Sequence, residues 1–184
     1  MTARWLLLAS LSTVPAAGLP GSDTPDWGKV EAAAHAYSNE PSCTNAESLI
    51  ALIPDRALAR EEHTGSATFE VLYRLLPPLE GQMLYGDECA ARVAFRLRRV
   101  ADAAFAEDLN AALGALATTR PLLFLRETAR SGQGCDVVTS FFTDYSESEA
   151  SAEKKLRLER LQQPVPAALK PLRSKCVQLL RSSP

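Results

Sequence analysis

The sequence predicts an all-α fold, built as an array of short antiparallel helical hairpins. Two observations carry that expectation. Apolar residues recur at three- and four-residue spacing through most of the chain, and no run alternates with period two long enough to demand a strand. Prolines and glycines then cut the periodic stretches into pieces of two or three turns, joined by short loops.

The elements can be justified in order. Thr24-Pro25 resembles a cap with proline at the first helical position, followed by a stripe of Trp27, Val30, Ala34 and Tyr37. A loop around Pro41 and Cys43 leads to a helix carrying Leu49, Ile50, Leu52 and Ile53. Pro54 ends or restarts it, and residues 54–62 form a second short piece. Gly65 and Ser66 punctuate the chain before a stripe of Phe69, Leu72, Tyr73 and Leu76, which Pro77-Pro78 is expected to stop. Residues 81–87 are expected to be loop. From Asp87 to about Ala101 runs the clearest amphipathic helix, capped by Asp87. Its inner face is Cys89, Val93, Leu97 and Val100, and Arg92, Arg96 and Arg99 line the opposite side. Phe105, Leu109, Ala112, Leu113 and Leu116 mark the next helix, and Pro121 opens another that ends near Gly132. Val137, Val138, Phe141 and Phe142 suggest one more turn of helix. SESEASAEKKLRLERL (146–161) is mixed in sign and poor in apolar residues, which predicts an exposed, mobile helix. Val165, Leu169, Leu172, Cys176 and Leu180 form the inner stripe of the last segment.

Two of the hairpins start at Ala67-Thr68-Phe69 and Ala103-Ala104-Phe105, 36 residues apart, within the range of helical-hairpin repeats. The residues that carry the pattern are LLPPL (75–79) and AFAEDLNAALGALATTRPLLFL (104–125). The pairs over 68–101 and 104–130 resemble the helix-turn-helix units of HEAT-like and armadillo-like α-solenoids. That resemblance covers well under half the chain and implies either a HEAT-like solenoid or an irregular helical bundle.

The N-terminus orders a positive residue (Arg4), an uncharged apolar run from Trp5 to Val14, then small residues. That is the order of a secretory signal peptide, spanning residues 1–18. Cleavage fits after Gly18, and also after Ala16. Residues 19–184 then form a single helical domain in a periplasmic or secreted protein. The apolar run is shorter than the roughly 20 residues that span a bilayer, so no membrane span is expected.

The four cysteines, Cys43, Cys89, Cys135 and Cys176, are widely and almost evenly spaced. No pair has the two-residue spacing of a zinc ribbon or thioredoxin motif. An even count in an exported chain implies two disulfides, with three connectivities possible. Pairing neighbours, Cys43 with Cys89 and Cys135 with Cys176, is favoured because it closes the shorter loops. In the chain-entropy model each such bridge is worth about 4 kcal/mol.

Catalytic signals are sparse. The two histidines are His35 and His63. Glu31 and His35 share a helical face, but no third metal ligand stands at motif spacing. His63 follows Glu61-Glu62 at a helix end, where histidine suits the dipole. No GxSxG context marks a serine nucleophile. SGQGC (131–135) lacks the Lys-Ser/Thr of a phosphate-binding loop and reads as a turn that positions a disulfide cysteine. No metal or other cofactor is implied. The net charge of −2 gives no push toward nucleic acid.

Arg92, Arg96 and Arg99 are the candidate face for an anion or an acidic partner. Against that stands local pairing on a solvated surface, Glu88 with Arg92 and Asp102 with Arg99. The expected function is a non-catalytic exported module that binds another protein. An enzyme or enzyme inhibitor is the alternative, and a groove joining Glu31, His35, Asp87 and the arginine row would favour it.

Overall fold

The computed structural model describes residues 25–56, 67–142 and 144–183. Among these the chain is all-helical, with no strand. The expected signal peptide and cleavage site, the piece at 54–62 beyond Arg56, His63 and the Gly65-Ser66 break lie outside the described residues.

Helix α1 (Trp27–Asn39) buries Val30, Ala34 and Tyr37. Its cap is Asp26, whose side chain accepts from the Lys29 N–H, so the helix starts just after Pro25. Tyr37 donates its hydroxyl to Gln82 at 2.5 Å, and burial pushes its pKa up to about 12. Helix α2 (Cys43–Leu52) begins inside the stretch expected to be loop. Ser42 caps it by accepting from the Asn45 N–H, and the Asn45 side chain donates to the Glu40 carbonyl at 2.9 Å.

The prolines at 77 and 78 start a helix. Helix α3 (Ala67–Arg74) ends just ahead of them, and α4 (Leu76–Tyr85) carries both in its first turn. There a missing N–H costs nothing, because the first-turn donors have no partner within the helix. Most of the expected 81–87 loop is therefore helical. Gly86 ends α4 in the left-handed conformation at φ 99°, and Arg120 donates to the Leu84 carbonyl at 3.0 Å.

Helix α5 (Glu88–Leu97) is capped by Asp87, which accepts from the N–H groups of Cys89 and Ala90 at 2.7 and 2.9 Å. It buries Cys89, Val93 and Leu97, and a turn carries the chain to buried Val100. Helix α6 (Ala103–Thr119) is capped by Asp102, whose carboxylate accepts from Phe105 N–H instead of meeting Arg99. Helix α7 (Pro121–Ser131) opens on proline and closes at Gly132, φ 71°. The Val137-Val138 segment is only a 3-10 turn (Cys135–Thr139). Helix α8 (Glu147–Leu161) starts with a capping box between Ser146 and Glu149. After a second 3-10 turn (Ala167–Leu169), α9 (Lys170–Ser182) buries Cys176 and Leu180.

One connected core runs from Val30 to Leu180. Helix α5 sits near its middle, packing on α2, α4 and α7. Two disulfides bind the ends to it: Cys43–Cys89 ties α2 to α5, and Cys135–Cys176 ties the 3-10 turn to α9. None of the described cysteines is free. Such bridges fit an oxidising, extracytoplasmic location. Among the described residues no helix is long and apolar enough to cross a membrane.

The expectation of a merely exposed α8 is corrected by Arg157, which is 1% exposed. Its guanidinium donates to the carbonyls of Val138 (2.7 Å) and Ser140 (2.8 Å), to the Thr118 hydroxyl (3.0 Å) and to Glu153 (3.3 Å). It also lies 4.5 Å from the Phe141 ring centroid. Gly114 makes room for it: a Cβ there would stand 2.8 Å from the Arg157 side chain and 2.6 Å from the Ser140 carbonyl.

Candidate partner-binding cleft

The arginine row follows from the register of α5. The inner stripe of Cys89, Val93 and Leu97 turns Arg92 and Arg96 toward α2 on one side and α7 on the other, and the turn after α5 adds Arg99. The expected solvated face is not what forms. The three side chains are only 22–30% exposed, because neighbouring elements flank them. Nor are their partners the local ones. Arg92 reaches Glu47 on α2 at 3.4 Å. Arg96 pairs with Asp55 at 2.6 Å and donates to the Ile53 carbonyl at 2.9 Å. Arg99 pairs with the same Asp55 carboxylate and donates to the Ser131 carbonyl at 2.6 Å. Glu88 turns away to Arg126 at 3.4 Å. Arg98, which flanks the row in sequence, is held separately by Asn110 and Asp136.

Between α2, α5 and α7 these residues enclose a cleft of about 180 Å³. Its apolar surface comes from Ile50 and Phe95. Its charged surface comes from four arginines, Arg92, Arg96, Arg99 and Arg130, against two carboxylates, Asp55 and Glu127. Arg92 Nε is buried there without a hydrogen-bond partner. Glu127 is 2% exposed. Burial raises its pKa above the ordinary value, and Arg130 and then Arg92 pull the other way. Arg130 meets it at 3.0 Å.

The structure thus brings Arg92, Arg96 and Arg99 together and adds Asp55, Arg130 and Glu127, which the sequence pattern did not connect. Alternating charge in RETAR (126–130) was the available signal, but it reads equally well as a solvated helix end. Glu31, His35 and Asp87 do not line the cleft. His35 and Glu31 form an exposed pair at 3.9 Å on α1, and Asp87 is engaged as the α5 cap. Among the described residues no group of three or more His, Cys, Asp or Glu side chains could hold a metal ion.

Chemically the cleft presents fixed cations over an aromatic surface, with one carboxylate, Asp55, spanning two of them. Guanidinium forks of this kind favour carboxylate partners in bidentate geometry. No protein-family model, curated protein or solved structure matches the chain.

Proposed function

We propose that this protein is an exported, non-catalytic helical module that binds another protein through an acidic side chain or acidic segment seated in the arginine cleft. The observation that carries the reading is the cleft's charge excess, four guanidiniums against two carboxylates. Arg92 Nε adds to it as a buried donor with no acceptor. Such a donor carries a desolvation cost that an incoming carboxylate would offset. Asp55 marks where that carboxylate fits. It is 61% exposed and bridges Arg96 and Arg99, so its departure to solvent would expose a ready-made anion position. Two disulfides support export, and helical hairpins packed side by side offer the extended surfaces that binding modules use.

The test is a fluorescence-anisotropy titration with a labelled peptide of alternating glutamate and leucine, against its glutamine counterpart. The expected result is binding of the acidic peptide only, weakening with salt and lost in the double variant R96A/R130A. Equal binding of both peptides, or acidic-peptide binding that survives the double variant, would overturn the reading.

A further inference from the structure

A second cavity lies on the other side of the 132–134 loop, between α7 and α9. It holds about 320 Å³. Two of its lining residues each carry a polar atom buried without a hydrogen-bond partner, Thr128 Oγ1 and Gln133 Nε2. Thr128 is 2% exposed. A threonine inside a helix ordinarily bonds back to the carbonyl four residues earlier, and this one does not. Native structures leave few buried polar atoms unsatisfied, and each calls for a missing water, ion or ligand.

We propose that this cavity binds a carboxylate carried by a compact, branched apolar group. The Thr128 hydroxyl and the Gln133 amide can both donate, and Lys175 on α9 brings an ammonium to the same lining. The one carboxylate on the lining, Asp136, is already paired with Arg98. Leu172 and Leu179 supply the apolar part of the lining. Leu172, Lys175 and Leu179 share one face of α9, so the lining sets an ammonium between two leucines and adds the two α7-side donors, a mixture that matches an anionic head on a short hydrophobic body. The volume is roughly ten times the share of one water molecule, so an acid of four to six carbons fits. That chemistry belongs both to a free branched acid and to the C-terminus of a chain ending in leucine. The site shares no residue with the arginine cleft and does not depend on the function assigned to it.

Amide NMR shift titrations of the full chain with 4-methylpentanoate, and with an N-acetylated tetrapeptide ending in leucine, test the proposal. Shifts are expected at Thr128, Gly132, Gln133 and Gly134. T128V removes the hydroxyl at constant shape and is expected to weaken binding about tenfold, the worth of one hydrogen bond to a charged group. A129W places a bulky ring at an exposed lining position and is expected to abolish binding without disturbing the core. Tighter binding of the peptide assigns the site to a chain terminus, and equal binding assigns it to a free acid. Without ligand, T128V should melt no lower than the parent, because the lost hydroxyl had no partner. Absence of shifts with both probes, shifts that persist in both variants, or a lower melting temperature for unliganded T128V would overturn the proposal and leave the two donors to water.

Discussion

Arg157 and the α5 arginine row use the same side chain in opposite ways. Arg157 is enclosed: its guanidinium serves two backbone carbonyls, a hydroxyl and a carboxylate, with an aromatic ring beside it. The cleft arginines are enclosed only partly, share one exposed carboxylate between two of them, and leave Arg92 Nε unmatched. Full satisfaction marks a cation that fixes structure. Incomplete satisfaction leaves donors unmatched in the folded chain. The burial of charge is costly in either place, and what separates the two is where the compensating oxygen comes from.

The largest effect should come from breaking the enclosed site. R157M keeps much of the volume but strands the carbonyls of Val138 and Ser140 and leaves Glu153 with only the Thr118 hydroxyl. Loss of one partner from a buried charged network costs about 3–5 kcal/mol, read as a lower urea midpoint at unchanged slope. The same site can be struck from the other side. G114A improves helix propensity by about 1 kcal/mol in isolation. Here its Cβ would stand 2.6 Å from the backbone oxygen of Ser140, which cannot swing away like a flexible side chain. The net expectation is a loss of about 1–3 kcal/mol by the same measurement. A stabilised G114A would mean that the Arg157 pocket is looser than described.

These two residues also show what was legible in the sequence. The stripes of α5, α6 and α9 were readable because one face of each is apolar at helical spacing, and Cys89 and Cys176 fall on those faces. Arg157 was not readable. It sits in the most polar stretch of the chain, where a buried cation and a solvated one look alike until its partners are brought in from α6 and from the 138–140 segment. Gly114 was the only local hint, a helix-interior glycine that must have a packing reason. Pro77-Pro78 misled for a related reason. Proline forbids a helix interior but suits a first turn, and only the chain's direction after Leu75 decides between them. The arginine row was visible as a row, but the cleft was not. Its second wall comes from α7, and one of its two carboxylates is Asp55, three residues past the end of α2. The expected signal peptide remains outside the described residues.

On the open side of the comparison, stability should move little. R96A removes a pair with an exposed carboxylate and one bond to the Ile53 carbonyl. Pairs of this exposure contribute about 0–1 kcal/mol. The expected result is a thermal midpoint within a few degrees of the parent, with acidic-peptide binding reduced. A loss as large as that of R157M would erase the distinction between the two sites.

The smallest effect sharpens the distinction by pH. Glu127 is buried among arginines that do not fully compensate its desolvation, so its pKa stays raised. A carboxyl with a raised folded pKa adds no penalty while it is protonated in both states. As pH climbs through its ordinary value of 4.5, the unfolded chain releases the proton first and the folded chain keeps it. The folded state then binds more protons, so stability falls with rising pH until the folded carboxyl also ionises, and levels off above that point. E127Q cannot titrate, so its stability should fall less steeply through the same window. Urea midpoints of both proteins between about pH 4 and pH 7 measure this, with the variant gaining on the parent as pH rises. If the parent gains on the variant instead, Arg130 and Arg92 outweigh the burial of Glu127. Glu127 would then hold Arg130 and Arg92 for itself, and the position open to a partner would narrow to the Asp55 site between Arg96 and Arg99.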